Sequence, residues 1–567
     1  MGKKTPKSPQ RSIAKSPGPG PAVAPSSSSV SKKSKSKKKK PSSPYAESPL
    51  HDLLHTFERA PDQWAARYIL ILTAIILRGV VGLGSFSGES QAPINGDFEA
   101  QRHWMELTIH LPIDQWYFYD LPYWGLDYPP LTAFHSFICG KIGSFINPKW
   151  FALDASRGLE SSGLKTFMRH TSLISELFVY FPALLGFIAF VGKKLNLSRI
   201  DQIVISGIIM CQPSLILIDH GHFQFNSVML GLFLFSFTDL CKGNYLLASV
   251  WFVCCITFKQ MGLYYAPFIF SFLLSVCFTN INETKGTGKG TVISVLKSLS
   301  FRRLFSIGIT VILTFITILA PFIYFASTRD VQSTLLQILI RVFPFQRGIF
   351  EDKVASFWCT TNLIIKYRTL FTQDQLAKLS LLVTLISILP PCTMIFYKNL
   401  FSRTFSNQKS SANKYLALIY GFAATSWGFY LFSFQVHEKT VLVPLLPSTL
   451  LYLTADAEAA SICQWINNFA VYSMWPLLQR DGLTLQYIIT LALSNFLIGS
   501  KAILPKNIIW KIIIVLSYIA AFSIHAIEIF VPPLSKYPDL WVILNTTVSF
   551  GCFGIFWLWL LYKMYQL

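Results

Sequence analysis

The sequence is short of charge, and shorter still of acid. Only 14% of its 567 residues are charged, with 28 Asp and Glu against 49 Lys and Arg. Soluble domains carry roughly a quarter charged residues, so a soluble enzyme is excluded. Also missing are the polar interruptions that keep soluble cores from running apolar for about 20 residues, the length that spans a bilayer. Long apolar stretches lie within 69–83, 177–191, 203–218, 228–237, 263–278, 307–325 and 512–531. The ten cysteines show neither zinc spacing nor the pattern of a disulfide framework, so buried free thiols are expected. There is no evident internal repeat, and charges gather at span ends rather than mid-span, which argues against a secondary transporter.

What is there is apolar and aromatic: 52% hydrophobic residues, 15% Phe, Trp and Tyr, and a mean hydropathy of +0.45. This is the composition of an all-α polytopic membrane protein. The net charge of +21 is local, because residues 1–45 hold eleven Lys and Arg11 with no acid. A basic run such as 31–40 can suggest nucleic acid. Ahead of many spans it is expected instead to be a disordered cytosolic tail that meets anionic lipid, with no nucleic-acid partner. No apolar stretch occurs in the first 50 residues, so a cleavable signal peptide is not expected.

Charge also sorts the loops. With the tail in the cytosol, a first span near 67–84 sends 85–169, the longest soluble stretch, to the lumenal side. Basic loops at 193–199, 285–303 and 397–414 then fall in the cytosol. Parity leaves room for one span between 325 and 397, so 331–368 is expected as amphipathic or re-entrant pieces on the lumenal side. The total comes to about 14 spans with both termini cytosolic. The expected organisation is a tail over 1–60, a transmembrane module over 61–330 carrying a catalytic lumenal loop at 85–169, and a second module over 331–567 that contributes phosphate contacts.

Four polar clusters meet on the lumenal face of this topology: 95–106, 219–226, 341–353 and 435–439. Polar groups are costly near a membrane, so their clustering is informative. Asp97 stands before a helical stretch and could cap it, or act as a general base. Asp97 and Glu99 together hint only weakly at a metal, and none is expected. His220 and His222 have no third zinc ligand. Arg347, Lys353, His437 and Lys439 could be snorkelling anchors. Acid on one loop with Arg, Lys and His on others suits an anionic substrate held by cations beside a base. Glu99 and Arg102, close to Asp97 in sequence, are expected beside that substrate.

The run Gly96-Asp97-Phe98-Glu99-Ala100-Gln101-Arg102-His103-Trp104-Met105-Glu106, followed by Leu111-Pro112-Ile113-Asp114-Gln115-Trp116-Tyr117 and Tyr123-Trp124-Gly125-Leu126-Asp127-Tyr128-Pro129-Pro130, closely resembles the dolichyl-phosphate-glucose-dependent α-1,3-glucosyltransferases. So do His220-Gly221-His222-Phe223-Gln224-Phe225-Asn226, Phe258-Lys259-Gln260 and Val436-His437-Glu438-Lys439. The resemblance runs from about residue 60 to the end. It implies a GT-C glycosyltransferase fold whose first lumenal loop bears interfacial helices. It also implies glucose transfer onto a dolichyl-diphosphate oligosaccharide in the endoplasmic reticulum membrane. The wording is closer to members that add the first glucose to Man9GlcNAc2 than to those that add the second. By the same resemblance Asp97 is the catalytic base and His437 touches the donor phosphate. Lys439, Arg347, His220 and His222 are expected in the same phosphate or sugar site. Dolichyl-phosphate-glucose is a lipid co-substrate, and no further cofactor is expected.

Overall fold

Apolar runs cut by proline and by single polar residues dictate helices of very different length, some long enough to span a bilayer and others too short. The computed structural model describes residues 43–56, 60–278, 298–326, 329–343, 353–401, 411–499 and 503–567. Among them there is no strand ladder, only an isolated bridge between Phe278 and Leu299. Eight helices are long and apolar enough to cross a membrane: Ala65–Gly82, Ser162–Lys194, Arg199–Phe223, Phe301–Tyr324, Gln373–Phe401, Ala412–Phe432, Ile508–Phe530 and Leu540–Gln566. The remaining expected spans correspond to shorter helices such as Asn226–Lys242, Tyr245–Phe258, Ala266–Val276 and Thr484–Ile498. In the stretch expected to span at 441–454, Pro444 and Pro447 accompany a short helix, Leu442–Thr449, flanked by tighter turns.

Ser43–Leu567 gathers as one compact unit, and the modules expected on either side of residue 330 both lie within it. Helices Ser162–Lys194 and Asn226–Lys242 meet closely, and Gly231 is what permits the approach. A Cβ there would stand 2.8 Å from Tyr180 Cα and 2.9 Å from its nitrogen. Backbone cannot step aside as a flexible side chain can. Gly231→Ala is therefore expected to destabilise by about 1–3 kcal/mol, read as a lowered thermal midpoint of the purified protein in detergent.

The tail expected over 1–60 ends sooner. Residues 1–42 lie outside the described residues, but 43–55 is folded. Ser48 caps helix Pro49–His55 by accepting from the Leu50 amide, with proline at its first position. The Ser48 hydroxyl donates to Leu497 O at 2.5 Å, and the fully buried Tyr45 donates to Tyr452 O at 2.7 Å. One aromatic and one cap thus anchor a segment that composition alone makes look like solvent-borne chain.

The loop after the first long helix carries two substantial helices. Pro130–Ile146 exposes Ile138, Ile142, Phe145 and Ile146 on one face, as an interfacial helix does. Asp97–His110 is different from the interfacial helix expected: residues 98–108 are all buried, charged ones included. Within 331–368, where amphipathic pieces are expected, Val331–Val342 buries Thr334, Ile338 and Val342 while exposing Leu336, Leu339 and Ile340. Gln337 Nε2 donates to Tyr117 O, and the Arg341 guanidinium donates to Gly125 O at 2.7 Å and Leu126 O at 3.1 Å. That helix therefore clamps the 117–126 loop in place.

Candidate active site

Asp97 opens helix Asp97–His110, but the helix cap is Gly96, not the acid. The chain reaches this point through a tight loop in which the Asp97 amide donates to Ser87 Oγ at 3.1 Å. A Cβ on Gly96 would lie 2.5 Å from three Ser87 atoms, so only glycine lets the two strands of the loop close. Freed from capping, the Asp97 carboxylate turns into a cavity of about 800 Å³. Three donors converge on its Oδ2: His222 Nε2 at 2.9 Å, Gln224 Nε2 at 2.5 Å, and Lys439 Nζ.

The donors come from two distant segments. His222 and Gln224 sit at the end of a segment whose last seven residues, Leu217–Phe223, form a π-helical turn. Such turns recur at functional sites. Phe223 then takes φ +89°, an unusual backbone for a bulky residue, and reverses the chain. The Asp219 carboxylate ties the reversal together, accepting from Asn226 Nδ2 at 2.9 Å and the Ser227 amide at 2.7 Å. Lys259, also on the cavity wall, donates to Gln224 Oε1 and Asn226 Oδ1, both at 2.7 Å. Lys439 comes from the turn Glu438–Val441, which His437 caps.

Burial by itself would raise the Asp97 pKa. The Lys439 charge and the His222 hydrogen bond outweigh it and hold the carboxyl well below the usual carboxylate range. The basic side chains of Lys259, Arg341, His437, Lys439 and Arg480 line the cavity, with Trp104, Trp124 and Tyr128 as its aromatic wall. Trp104 Nε1 donates to Trp124 O at 3.0 Å and Trp124 Nε1 to Ile94 O at 2.7 Å, which fixes both indoles. A base among cations and aromatic faces is what a sugar phosphate requires: charge for the phosphate, flat apolar surface for the sugar.

Of the residues the sequence singles out, Asp97, His222, His437 and Lys439 line this cavity. Arg347 lies outside the described residues. Three others are corrected. Glu99 and Arg102 do not line it: Arg102 forks onto Glu99 at 2.6 and 2.7 Å and onto Glu106 and Ser156, each at 2.6 Å. Burial would push the Glu106 carboxyl up, but His103 beside it and the Arg102 charge bring it down to about 2. This ion ladder staples the helix to the 150–156 loop. His220 likewise faces away, bonding Glu176 at 2.6 Å, which in turn holds Arg78 through two contacts of 2.6 and 2.7 Å. Among the described residues no group of three or more His, Cys, Asp or Glu has the arrangement of a metal site.

Asp481 is the residue that sequence reasoning passed over. Its Oδ2 lies 2.5 Å from His222 Nδ1, across 259 residues of chain. Span parity would have placed 479–486 on the same side as the other clusters.

Residues 70–559 match the ALG6, ALG8 glycosyltransferase family. The chain belongs to this family. A Saccharomyces cerevisiae relative, a dolichyl pyrophosphate Man9GlcNAc2 alpha-1,3-glucosyltransferase, is 46% identical over 91% of this chain and 95% of its own. A Schizosaccharomyces pombe protein described as a probable enzyme of the same kind is 43% identical over 91% of this chain and 95% of its own. The Gallus gallus enzyme is 38% identical over 79% of this chain and 81% of its own. As a member of the ALG6, ALG8 family the protein is a multi-span membrane glycosyltransferase.

Proposed function

We propose that the protein transfers glucose from dolichyl-phosphate-glucose to the terminal mannose of dolichyl-diphosphate-linked Man9GlcNAc2, forming an α-1,3 linkage. The observation that carries this reading is the Asp97 carboxylate, partly open to a cation-lined cavity and already ionised. The relatives' activities point to the same acceptor. We place the protein in the endoplasmic reticulum membrane with the cavity lumenal and both termini cytosolic, supported by the basic tail and the basic loops at 193–199, 285–303 and 397–414.

The donor is a β-linked glucosyl phosphate and the product is α-linked, so a single inverting displacement suffices. Asp97 takes the proton of the mannose 3-hydroxyl as that oxygen attacks the anomeric carbon. The dolichyl phosphate departs with the bonding pair and needs no protonating acid, only charge stabilisation. Lys439 and His437 are placed to give it. Lys439 donates to Asp97, and that contact weakens the base. A donor phosphate competes for that ammonium and returns basicity to Asp97 only when substrate is present. The scheme uses no metal ion and no cofactor beyond the lipid co-substrate.

The test uses purified protein in lipid nanodiscs with glucosyl or mannosyl lipid donors and Man9GlcNAc2 or singly glucosylated lipid acceptors. The expected product is Man9GlcNAc2 lipid carrying one added glucose, removable by an α-glucosidase. Transfer solely from the mannosyl donor, or solely to the glucosylated acceptor, overturns the assignment.

A further inference from the structure

The three donors on Asp97 all reach Oδ2, and among the described residues none reaches Oδ1. One edge of the carboxylate is therefore fixed and the other is left to accept a proton. Which oxygen takes which part depends on His222, and His222 is itself held from behind. Its Nδ1 meets Asp481 Oδ2 at 2.5 Å while its Nε2 meets Asp97 Oδ2 at 2.9 Å.

A neutral imidazole has one N–H. With both carboxylates ionised, Asp481 claims the Nδ1 proton, and Nε2 can donate to Asp97 only if the ring carries a second. Without it, the Nε2 lone pair would face that carboxylate, with the Lys439 ammonium as the one donor between them. Two anions flanking one ring favour the imidazolium. Lys439 Nζ, 3.2 Å from His222 Nε2, opposes it. Arg169, which donates to Gly221 O at 2.8 Å and Ser85 O at 3.0 Å, adds a second cation nearby. Asp97 alone faces two cations; Asp481 tips the balance. The Asp481 side chain is 2% exposed and its backbone carbonyl accepts from the Ser85 hydroxyl, so it is held firmly on the ring.

We propose that Asp481 and His222 are positioning residues for the transfer reaction. Asp481 keeps His222 doubly donating, and His222 pins Oδ2 of Asp97 so that Oδ1 faces the attacking hydroxyl. The step balances simply. The mannose O–H bond breaks as the O–C1 bond forms, the C1–O bond to phosphate breaks, the proton ends on Asp97 Oδ1, and the bonding pair leaves with the dolichyl phosphate. This rests on Asp97 being the base. It adds that the base works best with a side chain behind it that donates to Oδ2, a part the imidazolium fills.

The experiment compares the pH dependence of kcat and KM for wild type, Asp481→Asn, Asp481→Glu and His222→Gln. Removing the Asp481 charge makes the doubly protonated ring harder to keep. Asp481→Asn should therefore lose activity on the alkaline side at a pH about one unit lower than wild type. Its kcat near neutrality should fall about tenfold or more, with KM for the donor changed less than about twofold. Asp481→Glu restores the charge and should recover most of the wild-type profile. His222→Gln offers an amide donor that does not titrate, so the alkaline loss should flatten. An unshifted profile in Asp481→Asn, or a loss equal at every pH, overturns the proposal. Nitrogen NMR of histidine-labelled protein gives a readout free of activity: both His222 nitrogens protonated at neutral pH in wild type, and not in Asp481→Asn. A neutral His222 in the wild type also overturns it. Failure of the base reading looks different, because Asp97→Asn would then remain active whatever the His222 ring carries.

Discussion

Asp97→Asn is expected to lower the rate of glucose transfer by roughly 10²–10⁴ while leaving the protein folded and the donor KM little changed. The amide keeps the size of the side chain and can still accept a hydrogen bond from Lys439, but it cannot take a proton from the mannose hydroxyl. Near-complete loss of turnover with intact donor binding identifies the base; wild-type turnover in the variant would remove Asp97 from that role. The pH dependence carries a second check. Asp97 is held ionised well below the usual carboxylate range, so its base form is present above that depressed value and is lost only as pH falls through it. Wild-type kcat/KM, which reports the free enzyme, should therefore show no decline owed to Asp97 protonation between roughly pH 5 and 7.

Arg78→Met is expected to be the most destabilising single change, at about 3–5 kcal/mol. Arg78, Glu176 and His220 are each no more than 1% exposed and join three segments. Arg78 also donates to Ala74 O at 3.0 Å and Met210 O at 2.9 Å. Removing the guanidinium leaves Glu176 buried with His220 alone. Adding Glu176→Leu should recover part of the loss, because an apolar pair of similar volume is tolerated better than an orphaned charge. Thermal midpoints of the two single variants and the double variant in detergent decide it. A double variant less stable than the sum of the singles would refute the account.

The helical membrane fold was legible in the apolar runs, and Asp97 as an acid in the long loop that follows the first span. Less legible was which polar residues around it face inward. Glu99, Arg102 and Glu106 stand at i, i+3 and i+7, the spacing of an ion ladder along one helix face. That spacing speaks for structure, yet their proximity to Asp97 made them look like substrate contacts. His220 and His222 are two apart, and residues two apart on a helical turn point in different directions. The spacing alone argued that one cavity would not hold both. Tyr45 and Ser48 were hidden because a serine followed by proline reads as a cap only when a helix has something to pack against. Asp481 needed topology: neither it nor His222 carries any local sign of the other.

The long span of chain between partners sets a timetable for the protein's birth. Asp97 and Lys439 are 342 residues apart. At ribosomal rates of about 5–20 residues per second, the carboxylate waits roughly 17–70 s before its ammonium partner is made. Throughout that interval the carboxylate lacks Lys439, although His222 and Gln224 are made after only 125 and 127 further residues. Each nascent chain therefore completes the set of donors on Asp97 only late in translation, and a message cut short anywhere before Lys439 yields a chain without that ammonium.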